Sequence, residues 1–130
     1  MSKNKNAALC PCQWQENVLF AECCGRYISG AALAPTAEAL MRSRYSAFVQ
    51  EQAAYLLQTW HPSTRPEHLD FEPTQWLGLT VLSAHDSDDD HAEVSFVARY
   101  KINGRAYKLQ EHSRFVRENG AWLYVDGDVA

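Results

Sequence analysis

The sequence lacks the patterns that would assign a compartment or a common enzyme class at once. Among its 130 residues, no apolar run approaches the roughly 20 residues that a membrane-spanning helix needs. The first nine residues contain no apolar core typical of a secretory signal, so we expect a cytoplasmic protein without membrane attachment. The motifs G-x-S-x-G, the P-loop and the dinucleotide fingerprint do not occur, so no nucleophile or nucleotide site follows from a motif.

Excess basic charge is also missing. Twelve Lys and Arg stand against sixteen Asp and Glu, which gives a formal net charge of −4. Proteins that bind phosphate backbones usually carry clustered basic charge, so the composition argues against nucleic acid as a partner. The acidic run Asp86-Ser87-Asp88-Asp89-Asp90 has part of the spacing of a calcium loop. His91 and Val97 stand where such a loop needs Gly and Glu, so we expect a solvated hairpin loop.

Cysteine is confined to one short segment, with the pattern Cys10-Pro11-Cys12, ten residues, Cys23-Cys24. Four thiolates can close a tetrahedral Zn²⁺ site, and about 34 residues cannot bury enough apolar surface to fold alone. The pattern therefore predicts one structural zinc per chain, held by Cys10, Cys12, Cys23 and Cys24, with no open coordination position. Two disulfides, or free buried or redox thiols, are the alternatives, although the vicinal pair makes a disulfide between neighbours strained.

The rest of the chain predicts helices first and strands afterwards. A helix begins after Pro35 with Thr36 as its N-cap, and Leu40, Met41, Arg44, Tyr45 and Phe48 share one face. A second helix is predicted from Gln52 to about Trp60, because Pro62 ends it, and a third, short one over residues 64–72.

Four strands follow, and Asn-Gly pairs at 103–104 and 119–120 indicate tight hairpin turns. The predicted strands are Trp76–Ser83, Glu93–Ile102, Arg105–Val116 and Ala121–Asp126. Helices followed by an antiparallel meander predict an α+β fold with helices covering one face of the sheet.

Polar residues on predicted apolar faces suggest a second site. Strand alternation places Glu111 and Ser113 on the same face as Tyr107, Leu109 and Phe115. A buried carboxylate facing the buried Arg44 of the first helix predicts an Arg44–Glu111 ion pair, since each charge is costly alone. The pair is either a structural salt bridge or part of a working pocket. The pocket candidates are Arg44, His61 and Glu111, with Tyr45, Trp60 and Ser113 as ligand contacts.

The sequence also resembles known families. Cys10-Pro11-Cys12 … Cys23-Cys24-Gly25 is similar to the zinc-binding SEC-C motif, with Gln13-Trp14 in place of the usual Gly-Ser and Phe20 at the aromatic position. Segments along the rest of the chain are similar to the bacterial YchJ-like family: Leu40–Phe48, Thr59–Pro62, Trp76–Leu79, Val94–Tyr100, Glu111–Phe115 and Trp122–Gly127. The resemblance implies a SEC-C module over residues 1–34. It also implies a domain resembling nuclear transport factor 2 (NTF2) over residues 35–130, with cone-like helices on a curved antiparallel sheet.

Two functions are compatible with these observations. In the first, the SEC-C-like zinc module docks on another protein and the chain acts as an adaptor. In the second, the cone binds a small molecule, or acts on it as a lyase-like or isomerase-like enzyme with Glu111 as acid or base and Arg44 or His61 orienting the substrate. A closed metal site favours the first function, and the polar groups on an apolar face favour the second.

Overall fold

Helices precede a single sheet in this chain. A computed structural model describes residues 8–14 and 17–130. A 3₁₀ turn, Phe20–Glu22, precedes the helices α1 (Gly25–Ile28), α2 (Ala37–Val49) and α3 (Ala53–Gln58). The strands are β1 (Gln75–Asp88), β2 (His91–Ile102), β3 (Arg105–Glu118) and β4 (Ala121–Val129).

Helix α2 begins as the sequence predicts. The Thr36 hydroxyl accepts a hydrogen bond of 3.0 Å from the backbone N–H of Ala39, which satisfies one of the free amides of the first turn. Glu38 lies in that turn, where the helix dipole favours an anion. Helix α3 lies within its predicted range and ends before Pro62.

The short helix predicted over residues 64–72 is wrong. Residues 61–74 contain neither helix nor strand. The Thr64 and Arg65 N–H groups donate to the His61 carbonyl in a single turn. The Thr64 hydroxyl donates to the Val125 carbonyl and the Arg65 Nε donates to the Trp60 carbonyl, so the segment also bonds to its neighbours. Leu69 and Phe71 pack on the core with the two-residue spacing of extended backbone.

The sheet is an antiparallel meander of order β1-β2-β3-β4. Both Asn-Gly turns form as predicted, with φ of 53° and 78° at Asn103 and Gly104 and of 52° and 80° at Asn119 and Gly120. Positive φ at both central residues is the geometry that matches strand twist. Every strand is longer than predicted. The acidic run belongs mostly to the exposed end of β1, since Asp88 pairs with His91.

One face of the sheet is covered by α2 and by the segment before β1. Val94, Phe96, Ala98 and Phe115 point to this inner face and are buried with Leu40 and Met41 of α2. Lys108 and Gln110 lie exposed on the outer face, so the predicted alternation of β3 is confirmed. The α+β fold is confirmed.

The cysteine segment joins the same core, since Cys12 and Cys24 are almost completely buried among these residues. The division at residues 34 and 35 stays a prediction. Within residues 8–14 and 17–130, no helix is long and apolar enough to cross a membrane.

Candidate metal centre and ligand cavity

The cysteine cluster is built from a short loop and the start of a helix. Leu9 and Leu19 form an antiparallel bridge, and the Cys10 N–H donates to the Val18 carbonyl at 2.9 Å. This pairing returns the chain toward the 3₁₀ turn that carries Cys23 and Cys24 to the start of α1. Gly25 is required there, because a Cβ atom would lie 2.7 Å from the Phe20 carbonyl oxygen.

The four sulfur atoms have the spacing of a metal site. All lie within 4.8 Å of one another, and the Cys10–Cys12 and Cys12–Cys23 Sγ atoms are each separated by 3.6 Å. Sulfurs bound tetrahedrally at about 2.3 Å lie about 3.8 Å apart. No disulfide joins these cysteines, which rules out the two-disulfide alternative for this structure. Four buried, clustered thiols fit a metal ion held by thiolates.

The four clustered thiols strongly affect one another's ionisation. Hydrogen bonds from Cys12 and Cys24 lower the pKa of Cys10. Hydrogen bonding to Cys10 and Cys12, together with burial, holds the pKa of Cys24 far above its usual range, and the pKa of Cys12 is raised to about 12, chiefly by its bond to Cys10. The site therefore stabilises one thiolate by itself. Four thiolates require the positive charge of a bound metal.

Helix α2 supports the cluster from outside. Arg42 Nη1 donates to the Cys12 carbonyl at 3.1 Å, while its Nε donates to Glu38 at 2.9 Å. The Ser46 hydroxyl lies 3.7 Å from the Cys10 sulfur. Sequence reasoning missed Arg42 and Ser46, because they are distant in the chain from every cysteine.

A second candidate site is a cavity of about 410 Å³ between α2, residues 70–74 and the inner face of the sheet. Its walls are mostly aromatic and aliphatic, and five sequence-predicted residues line it: Arg44, Tyr45, Trp60, Glu111 and Ser113. His61 is not among them. Its Nε2 lies 2.8 Å from Glu118 and its Nδ1 lies 2.7 Å from Ser63.

The predicted ion pair between Arg44 and Glu111 is wrong, because Arg44 has other partners. Its Nη1 donates to the Leu56 carbonyl at 2.8 Å and to the Thr59 hydroxyl at 2.7 Å. Its guanidinium carbon lies 4.7 Å from the Tyr124 ring centroid and 5.1 Å from that of Trp60. Burial lowers the pKa of Arg44 to about 10, so it stays charged at neutral pH. Carbonyl, hydroxyl and aromatic groups thus compensate its burial.

Glu111 is held by the sheet instead. Its Oε2 accepts hydrogen bonds from the Ser113 hydroxyl at 2.5 Å and from the Tyr124 hydroxyl at 3.2 Å. Burial, and then the neighbouring Glu111 carboxylate, raise the pKa of Tyr124, so the phenol keeps the proton that it donates. The Glu111 side chain lies across Gly127, where a Cβ atom would come within 2.7 Å of the carboxyl carbon. Sequence reasoning missed both Tyr124 and Gly127.

A third polar group lies on the outer face of the sheet. His112 Nδ1 lies 2.5 Å from the Ser95 hydroxyl, and its Nε2 lies 2.9 Å from Glu93. The order of groups resembles a hydrolytic triad, but Ser95 is in a central strand, paired on both sides. The three side chains are neighbours on one face of the sheet, which accounts for their contacts. We therefore read the group as a cross-strand network.

Comparisons with known proteins agree with this architecture. The family described as "YchJ, middle NTF2-like domain" matches residues 36–127. A UPF0225 protein of Polaromonas naphthalenivorans is 61% identical over 110 residues, covering 84% of this chain and 81% of the relative. A UPF0225 protein of Bordetella pertussis is 52% identical over 136 residues, covering 99% of both chains.

Two solved structures have the same fold. The solution structure of a SEC-C motif containing protein from Rhodopseudomonas palustris has a TM-score of 0.81 and 28% identity, covering 93% of this chain and 98% of that one. The crystal structure of a SEC-C motif containing protein from Psychrobacter arcticus has a TM-score of 0.80 and 30% identity, covering 97% and 85%. The family match, the relative aligned over 99% of both chains and the buried cysteine cluster confirm the resemblance. This chain belongs to the UPF0225 family and has a YchJ-type NTF2-like domain, a four-cysteine cluster and structural neighbours that contain the SEC-C motif.

Proposed function

We propose that this protein binds a small organic molecule in the cavity between α2 and the sheet. The observation that supports this function is the combination of an apolar cavity of about 410 Å³ with a few converging polar groups, Arg44, Glu111, Ser113 and Tyr124. Small-molecule sites have this size and this composition. A core that only needed to be stable would fill such a space with side chains, because protein interiors are closely packed.

Filling the cavity tests this proposal. Leu109 lines the cavity, and its neighbour Lys108 lies exposed on the outer face of the same strand. Leu109→Trp should abolish binding of the neutral fluorescent dye Nile red, while Lys108→Trp leaves binding unchanged. Equal binding by both variants, or no binding by the unmodified protein, contradicts the proposal.

The metal in the cysteine cluster is proposed to be zinc, one ion per chain, with a structural role. Four sulfur ligands leave no open coordination position for a substrate, and the four-cysteine set is a common structural zinc site. In a cytoplasm, where we expect the protein to work, the thiols stay reduced and available. The zinc would fasten residues 8–34 to α2, through the contacts that Arg42 and Ser46 make with Cys12 and Cys10.

Metal analysis and hydrogen exchange test the zinc. Freshly purified, reduced protein should contain about one zinc per chain, and Cys24→Ser should lose it while the control Ser29→Ala, at an exposed position, keeps it. Chelation should increase amide exchange mainly in residues 8–34, because binding of a structural metal is coupled to local folding. Metal-free protein with four freely titratable thiols contradicts this assignment.

A second candidate function is docking of another protein on the zinc module. It is favoured by four exposed apolar side chains in or beside this module, Leu9, Trp14, Leu19 and Leu33, which are 56%, 46%, 37% and 67% exposed. Leu9→Ser combined with Leu19→Ser should remove specific partners from the proteins captured with this chain and identified by mass spectrometry. Leu82→Ser, an exposed leucine on β1, is the control. An unchanged set of captured proteins contradicts docking here.

A further inference from the structure

The cavity is lined by more acidic than basic side chains. Arg44 is the single basic residue in the described lining, whereas Glu51, Asp70, Glu72 and Glu111 are acidic. The formal charges of these groups sum to −3. Glu51, Asp70 and Glu72 are exposed, so solvent screens their charges in part, whereas Glu111 is half-buried. This excess of negative charge repels an approaching anion and attracts a cation.

Arg44 offsets this excess of negative charge only in part. Trp60 and Tyr124 lie against its guanidinium, and its Nη1 donates to Leu56 and Thr59. These contacts hold the guanidinium in the wall, while its Nε and Nη2 make no hydrogen bond among the described residues.

Glu111 offers a ligand a hydrogen-bond acceptor in the wall. Oε2 accepts from Ser113 and Tyr124, whereas Oε1 accepts no hydrogen bond among the described residues. The side chain occupies the space beside Gly127 that a Cβ atom would fill, and the two hydrogen bonds hold it there. A fixed carboxylate with one free oxygen is suited to accept a hydrogen bond from a charged donor.

The aromatic walls add attraction for the same kind of ligand. The Trp76 ring lies 5.6 Å from Tyr45, 6.2 Å from Phe48 and 5.4 Å from Tyr100, measured between centroids. Aromatic faces carry negative potential and bind organic cations, most strongly where water is excluded. Their area also buries an apolar ligand body.

We infer that the cavity binds an organic cation, a protonated amine with an apolar body, whose ammonium group lies at Glu111. This inference rests on the proposed function, since it names the class of ligand for the same cavity.

Three probes of one shape test the class: 4-phenylbutylamine, 4-phenylbutanol and 4-phenylbutyrate, titrated calorimetrically into the full-length protein at neutral pH. The amine should bind at least ~10-fold more tightly than the alcohol, about 1.4 kcal/mol, and the carboxylate most weakly. Glu111→Gln should remove the preference for the amine over the alcohol, because the amide carries no charge but can still accept from Ser113 and Tyr124. Glu118→Gln, whose carboxylate pairs with His61 outside the cavity, should keep the preference.

The outcomes separate the two proposals. If none of the three probes binds although Nile red does, the cation assignment fails and the proposed function stands; if Nile red does not bind either, the proposed function itself fails. If the alcohol or the carboxylate binds as tightly as the amine, the cavity binds small molecules but the cation assignment is wrong. This comparison uses the unmodified protein, so it decides the matter even if the Glu111 variant does not fold. A preference that survives Glu111→Gln also overturns the assignment of the ammonium to Glu111.

Discussion

Gly127→Ala should destabilise the fold through Glu111. A Cβ atom at position 127 would lie 2.7 Å from the carboxyl carbon of Glu111 and 2.9 Å from its Cγ, distances that side chains do not tolerate. The carboxylate must then leave its place against β4. It loses the hydrogen bonds from Ser113 and Tyr124, and the buried Ser113 hydroxyl loses its acceptor.

The magnitude follows from those two bonds. Hydrogen bonds to a charged group contribute about 1.5 kcal/mol each at the low end of the measured range. Replacing glycine by alanine restricts the unfolded chain and restores up to about 1 kcal/mol. We therefore expect the free energy of unfolding to fall by roughly 2 kcal/mol, measured by urea denaturation followed by tryptophan fluorescence.

Two controls isolate the cause. Gly78→Ala, on β1, places a Cβ atom at an ordinary contact distance of 3.5 Å from Gln13, so it should be neutral or slightly stabilising. In a Glu111→Ala background, Gly127→Ala should also be nearly neutral, because the overlapping side chain is gone. The reasoning is refuted if Gly127→Ala is as harmless as Gly78→Ala, or if its effect is the same with and without the Glu111 side chain.

Three further predictions concern the charges and the sheet. A double-mutant cycle of Arg44→Met and Glu111→Gln should give a coupling energy below about 1 kcal/mol in thermal or urea unfolding, because the two groups do not pair directly. A coupling energy of about 3 kcal/mol would show that they form an ion pair after all. Lys108→Glu should change the free energy of unfolding by no more than about 0.5 kcal/mol, since the residue is exposed on the outer face, and a loss of several kcal/mol would invalidate the strand alternation. Stability should fall as pH rises above about 10, because burial raises the pKa of Tyr45 to about 12 and also raises the pKa values of Tyr55 and Tyr124, so the unfolded chain loses these protons first. The lowered pKa of Arg44 has the opposite effect on stability, but it is one residue, whereas three tyrosines have raised pKa values. Rising stability in urea unfolding between pH 8 and 11 would contradict this expectation.

Local signals in the sequence predict much of this structure. The four cysteines are close in the chain, so their spacing alone predicts the cluster. The alternation of β3 places Glu111 and Ser113 on the inner face without any knowledge of the fold. Thr36 marks the start of α2 because an N-cap acts on its own first turn.

The rest depends on contacts that leave no local signal. The partners of Arg44 are a backbone carbonyl, a hydroxyl and two rings, and a sequence does not show which carbonyl faces a buried cation. The pairing of β3 with β4 is irregular at one point. Arg114 pairs with Asp126, but the next residue of β3, Phe115, pairs with Tyr124. Tyr124 and Asp126 therefore point to opposite faces although they are two residues apart, and simple alternation misplaces one of them.

The pairing pattern of the sheet has a consequence for how the chain folds. Each strand pairs with the next one in the sequence, so the whole sheet can form from successive hairpins with little loss of chain entropy. The segment that follows α3 is attached to the sheet by long-range contacts. Trp60 forms a β-bridge with Tyr124, and the His61 N–H donates to the Tyr124 carbonyl. Closing that long loop carries the larger entropic penalty. The sheet therefore depends on contacts between neighbouring strands, whereas this wall of the cavity depends on one long-range attachment to β4.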